Sequence, residues 1–136
     1  MRDDEVQLIV VDAANVVGSK PDGWWRDRVG ATRRLLERLA ASRAGLGRPA
    51  EVVVVLEGAA KAAVTDQTTP DFESLRVLLA DGSGDDAVVG AVAAAAEQHS
   101  NRPITVVTAD RGLRARVEAI GADTVGPHWL LARIES

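Results

Sequence analysis

The sequence predicts an α/β fold, a three-layer α/β/α sandwich around a central parallel sheet of about five strands. Short apolar runs rich in Val and Ile alternate with longer amphipathic or Ala-rich stretches. The short runs are continuously apolar, as strands buried on both faces are. Clusters of Gly, Pro, Ser and Asp separate them.

Val6 to Val11 reads as the first buried strand and runs into Asp12. Gly18 to Gly23 is a loop. From Val29 to Arg43, the residues Val29, Leu35, Leu36, Leu39 and Ala40 fall on one helical face, with Arg33, Arg34, Glu37 and Arg38 on the other. Gly45 and Gly47 end that helix. Glu51 to Leu56 is the second strand, closed by Glu57-Gly58, and Ala59 to Val64 reads as a short helical turn. Thr65 to Pro70 is loop-like. Phe72 to Ala80 contains a third strand, centred on Arg76 to Leu79. Asp86 to His99 is a helix with little polar surface, expected to pack deeply. Ile104 to Val107 is the fourth strand and Asp110 to Ile120 a helix. A short fifth strand lies within Gly121 to Val125, and Pro127 to Arg133 reads as a terminal helical turn or edge element. Right-handed crossovers follow between parallel strands. With no repeat, linker or low-complexity tail, residues 1–136 are expected to form a single domain.

The absence of cysteine excludes disulfides, thiolate metal sites and cysteine nucleophiles. A reducing, cytoplasmic setting is the expectation. The opening MRDDEVQ does not read as a signal peptide, and no apolar run reaches the ~18 residues of a membrane span. A net charge of −4 argues against coating nucleic acid by bulk electrostatics. It leaves room for local chemistry on nucleic acid: Asp12, Asp85, Asp86 and Asp110 together account for the whole −4, and divalent cations would largely cancel them.

Acids gather where open parallel sheets carry function, beyond the carboxyl ends of the strands. Asp12 follows strand one and Glu57 strand two. Asp85 and Asp86 follow the loop after strand three, and Asp110 follows strand four. Adjacent carboxylates repel, and a hard divalent cation such as Mg²⁺ or Mn²⁺ neutralises such a pair. Each acid also has a plain structural reading. Asp85 and Asp86 suit an N-cap and a first helical turn, Asp110 suits an N-cap, and Asp12 a turn. Glu57 before a glycine suits loop chemistry. Trp24 and Trp25, beside Arg26 and Arg28, fit either a base-stacking flap or a hydrophobic lid. His99 and His128 read as structural. Trp24-Trp25 or Trp129 would also suit contact with a protein partner, and the Ala-rich helix a homodimer.

No nucleophile motif, P-loop or dinucleotide-binding glycine motif is present. Phosphate-ester hydrolysis needs little beyond metal and water. Asn15 and Thr108 are placed to fix a carboxylate, a bound water or a phosphate, and Arg111 or Arg114 to reach a phosphate. The expected catalytic set is Asp12, Asp85, Asp86, Asp110 and Asn15. The carboxylates of Asp12, Asp86 and Asp110 are expected to converge on one cation.

VVDAANVVG, from Val10 to Gly18, resembles the opening motif of the NYN branch of PIN-like ribonucleases, a strand followed by Asp-x-x-Asn. GSGDDAVV, from Gly82 to Val89, is similar to the second acidic motif of that group. VVTADRGLRARV, from Val106 to Val117, is similar to its third, and GADTVGPHWLL to the Gly-rich end of bacterial members. The order and spacing agree over nearly the whole chain. The resemblance implies strand order 3-2-1-4-5 and a Mg²⁺- or Mn²⁺-dependent ribonuclease acting on RNA. It carries the metal-binding acids onto Asp12, Asp86 and Asp110, the motif Asn onto Asn15, and either a further ligand or the main one onto Asp85. Glu57 stands where many relatives have Asp-Gly. The chain lacks the basic extensions with which many members grip RNA.

Two other functions fit the sequence. One is a metal-dependent phosphohydrolase acting on a nucleotide or small phosphate ester, which low positive charge and few aromatics favour. The other is a non-catalytic PIN-like module that binds RNA or protein, against which the full set of acids argues.

Overall fold

The computed structural model describes residues 7–19, 26–41, 50–58, 75–98 and 102–134. Five parallel strands form one sheet: β1 (Gln7–Asp12), β2 (Ala50–Leu56), β3 (Arg76–Leu79), β4 (Ile104–Val107) and β5 (Asp123–Val125). Their order is β3-β2-β1-β4-β5, as the resemblance implied. The helices are α1 (Ala13–Gly18), α2 (Arg28–Ala41), α3 (Gly84–Gln98), α4 (Arg111–Glu118) and α5 (Pro127–Ile134). No helix among the described residues is long and apolar enough to cross a membrane.

β1 is central, and all six of its residues are buried. Its side chains alternate between two cores, as the period of a strand requires. Ile9 and Val11 join Val52, Val54 and Leu56 beneath α1, α2 and α5. Leu8 and Val10 join Val53, Val55 and Val106 beneath α3 and α4. The continuous apolar runs thus reflect a sheet covered on both faces. α2 turns Leu35, Leu36 and Leu39 inward as the periodicity predicted. Asp27 caps it, accepting from the Gly30 amide at 2.8 Å. β3 is an edge strand with Leu78 and Leu79 partly in solvent.

Two element boundaries differ from expectation in ways that matter for function. Helix α1 starts immediately after Asp12, where no helical period is long enough to read. Helix α3 starts at Gly84, two residues before the expected Asp86. The reason is Ser83, whose Oγ accepts from the Asp86 amide at 3.1 Å. That hydroxyl ends the β3–α3 loop as a helix cap and places Asp85 and Asp86 together in the first turn. The expected turn over Ala59–Val64, the loop Thr65–Pro70, the end of the first long helix at Arg43, and Trp24, Trp25 and His99 lie outside the described residues.

Candidate active site at the carboxyl edge of the sheet

Parallel strands point their carboxyl ends the same way, so the residues after β1, β2, β3 and β4 meet on one edge. Asp12 is the last residue of β1 and is only 6% exposed. Although α1 begins at the next residue, the Asp12 side chain makes no cap hydrogen bond. Its Oδ2 instead accepts from the Thr108 hydroxyl at 3.1 Å. Thr108 stands just past β4 and is fully buried. Its amide donates to the Val125 carbonyl on β5 at 2.9 Å, which fixes its backbone. Its Oγ1 also accepts from the Asp110 amide at 3.1 Å. One hydroxyl therefore connects Asp12 to the backbone of Asp110. Of the partners expected for Thr108, a carboxylate, a bound water or a phosphate, the structure gives it a carboxylate.

Asp110 is half-buried and caps α4, its Oδ1 accepting from the Leu113 amide at 2.9 Å. Asn15, on α1, accepts from the Ala109 amide at 2.8 Å through Oδ1. Arg114 Nε donates to the Thr108 carbonyl at 3.0 Å. The loop between β4 and α4 is thus held from both sides. Arg111 is exposed in the first turn of α4, next to Asp110.

The paired acids of α3 divide. Asp86 is exposed and forms an ion pair with Arg116 of α4, at 2.9 Å. Hydrogen bonds from Arg116 and Ser83 hold its carboxyl below the usual value. Asp85 is half-buried, and its carboxyl is raised by burial and then by the charges of Asp110 and Glu57. Burial pushes the Asp12 carboxyl from 3.8 up to about 6. The Thr108 hydroxyl and the nearby Asn15 amide oppose that rise, while Asp85 and Glu57 add to it. Asp12, Glu57, Asp85 and Asp110 therefore form one electrostatic cluster, with Asp86 turned toward Arg116.

Glu57 is the member that suited loop chemistry in the sequence. Its Oε2 accepts from the Gly84 amide, joining the end of β2 to the start of α3. Gly58 follows with φ +57, a left-handed turn that glycine adopts without strain. The one legible trace of this arrangement is the Glu-Gly pair directly after a strand.

The three aspartates expected to converge on one cation, Asp12, Asp86 and Asp110, lie at the same edge of the sheet, each with a partner of its own. Among the described residues, no group of three His, Asp or Glu side chains stands together so as to hold a metal ion. The cap bond of Asp110 and the ion pair of Asp86 draw those carboxylates toward other partners. The donor chemistry still fits Mg²⁺ or Mn²⁺. A buried carboxylate beside further carboxylates lacks compensating positive charge, and Mg²⁺ is commonly held by one or two carboxylates with its remaining positions filled by water. A cavity of about 770 Å³ lies elsewhere, between β3 and α3, and Asp86 alone of the four aspartates lines it. Its walls carry Glu51, Arg76, Asp81 and Arg102 beside the small residues Gly90, Ala91 and Ala94. His128 and Trp129 are on α5, where Trp129 packs against the first core and carries Arg133 4.1 Å above its ring.

No family model matches the sequence, and no curated protein matches it. Solved structures do. A crystal structure of Rae1 (YacP) from Bacillus subtilis superposes with a TM-score of 0.75 at 18% identity, covering 96% of this chain and 74% of that one. Its W164L mutant gives 0.71 at 19% identity, covering 96% and 76%. The fold shared with these structures is a parallel α/β sheet, here of order β3-β2-β1-β4-β5 with helices on both faces. At this identity the likeness carries the architecture and the strand order, and the site is argued from this chain's own residues.

Proposed function

We propose that this protein is a metal-dependent ribonuclease that hydrolyses RNA phosphodiester bonds at the acidic edge of its sheet. The observation that carries the reading is Asp12. It is a buried carboxylate at the end of the central strand, beside Asp85 and Glu57 and hydrogen-bonded through Thr108 to the Asp110 loop. A fold seldom buries such charge without a use for it. The motifs that resemble NYN ribonucleases sit on the matching elements of a PIN-like sheet.

Asp12 and Asp85, joined by Asp110 when it leaves the Leu113 amide and by Asp86 when it leaves Arg116, are the residues we assign to hold Mg²⁺ or Mn²⁺. The chemistry such an ion supplies is activation of water and neutralisation of charge on the phosphoryl group. Thr108 fixes the Asp12 carboxylate. Asn15 holds the Ala109 amide, and so keeps the Asp110 loop against α1. Arg111 is the exposed cation best placed to meet a phosphate. A cytoplasmic setting, in which RNA is at hand, belongs to the same reading.

The partners already held by Asp110 and Asp86 favour a second reading, a non-catalytic PIN-like module that binds RNA or protein. One experiment separates the two. End-labelled single-stranded and hairpin RNA is incubated with the protein and Mn²⁺, with EDTA and Asp12→Asn as controls. Cutting that both controls abolish supports the ribonuclease. RNA retention without cutting supports the module.

A further inference from the structure

Glu57 contributes negative charge to a cluster already rich in it, and that charge pushes Asp12 and Asp85 toward the neutral form. Its contact with Gly84 explains why it is there. We propose that Glu57 is a positioning residue and not a cation ligand: by accepting the Gly84 amide it fixes the first turn of α3 and sets the Asp85 carboxylate in the cluster with Asp12 and Asp110. This deepens the ribonuclease reading and rests on it for its activity measurement.

Gly84 supplies the independent support. Glycine is disfavoured in helices, and Gly84 opens α3 without a positive φ, so its backbone is one that any residue adopts. The space around it is what requires glycine. A Cβ at position 84 would lie 2.9 Å from the Glu57 carboxyl carbon and 3.0 and 3.2 Å from its two oxygens. The missing side chain is the room that the carboxylate occupies. The next residue is Asp85, so the geometry of the 84 amide sets where that side chain leaves the backbone. The start of α3 is thus joined to the end of β2 by Glu57, to the preceding loop by Ser83 and to α4 by the Arg116–Asp86 pair.

The test compares Glu57→Gln, Glu57→Ala and Gly84→Ala. Gln keeps an acceptor oxygen but removes the charge that a ligand needs. Gly84→Ala keeps the charge but displaces the carboxylate from the amide. Three quantities are measured: exchange of the Gly84 amide by NMR, Mn²⁺ affinity by calorimetry, and kcat and KM for RNA cleavage. Glu57→Gln is expected to keep the amide protected and to stay within about threefold of wild type in Mn²⁺ affinity and kcat. Glu57→Ala and Gly84→Ala are each expected to speed exchange at least about tenfold. Both lower Mn²⁺ affinity and kcat by about 10–100-fold, the range for residues that orient ligands, with KM within about twofold. The double variant is expected to lose no more than either single one, since both remove the same contact.

A Glu57→Gln protein that loses Mn²⁺ affinity as fully as Glu57→Ala, with its Gly84 amide still protected, would make Glu57 a ligand and overturn the proposal. Unchanged Gly84 exchange in Glu57→Ala would overturn it too. Should Glu57→Ala fail to fold, Glu57→Gln set against Gly84→Ala carries the same comparison. Wild type that binds Mn²⁺ but cuts no RNA refutes the ribonuclease reading alone, and the affinities and exchange rates still decide the role of Glu57. Wild type that binds no Mn²⁺ overturns both.

Discussion

The Thr108 hydroxyl donates to Asp12 Oδ2 at 3.1 Å, across 96 positions of sequence. Both residues are buried, and the same hydroxyl oxygen accepts from the Asp110 amide. A single side chain therefore ties the Asp12 carboxylate at the end of β1 to the backbone of Asp110 beyond β4.

Replacing Thr108 with Val keeps the shape and removes the hydroxyl. The buried Asp12 carboxylate then loses its hydroxyl donor and the half-buried Asp110 amide its acceptor. The expected loss of stability is about 1–3 kcal/mol, mostly from the donor lost by the buried carboxylate. Thr108→Ser keeps the hydroxyl and is expected to lose less than Thr108→Val. Urea denaturation at neutral pH measures both.

Asp12 makes metal-free stability depend on pH in a definite direction. Its folded carboxyl titrates at about 6, above the 3.8 of an ordinary aspartate, so the folded state binds this proton more tightly. The stabilisation is fully present below about pH 4 and is lost as pH rises through about 6. The span corresponds to something on the order of 3 kcal/mol. Burial alone would raise Glu51, but Arg102 and Arg76 hold it below its usual value, so it acts in the opposite sense and at lower pH. Subtracting the stability curve of Asp12→Asn from that of wild type isolates Asp12. The difference between urea curves in EDTA is expected to favour Asp12→Asn progressively from pH 4 to 7. A flat difference would contradict it.

Divalent metal should reverse that penalty. Millimolar Mn²⁺ at pH 7.5 is expected to raise the melting temperature of wild type, and EDTA to restore it. The shift should shrink toward pH 5, where Asp12 holds its proton, because a carboxylate must be deprotonated to bind metal. It should be absent in Asp12→Asn. Differential scanning calorimetry with and without Mn²⁺ reads all three.

The neighbours Asp85 and Asp86 are expected to part company on mutation. Asp85→Asn removes a half-buried carboxylate from the cluster and should abolish RNA cleavage. Asp86→Asn breaks an exposed pair with Arg116 and should leave both melting temperature and turnover close to wild type. Equal losses of turnover from the two would assign Asp86 to the metal as well.

The sheet was readable because β1 and β2 are unbroken apolar runs, and runs of that kind fit only strands covered on both faces. β3 was readable in its centre, Arg76 to Leu79, even though it lies at an edge. The acids were readable as a group because a parallel sheet sends strand ends to one side. The division of labour between them was not. Asp85 and Asp86 are identical in chemistry, and helical rotation alone turns one inward and the other toward Arg116. Ser83 was the available clue, as a cap three residues before Asp86 that would have started the helix earlier. The role of Thr108 depends on the fit of β4 against β1, which no local pattern records. Glu57 and Gly84 lie 27 positions apart, and nothing near either residue announces the other.

The path of the chain through the site also governs when activity can arise. Asp12 leaves the ribosome early, while Thr108, Asp110 and the Val125 carbonyl that anchors Thr108 come from the last part of the sequence. β1 and β4 are neighbours in the sheet but far apart in order of synthesis. An unfinished chain holds Asp12 without the hydroxyl that orients it. On the ribonuclease reading proposed above, a chain that holds Asp12 without Thr108 has an incomplete acidic edge, and cleavage awaits the docking of β4 beside β1.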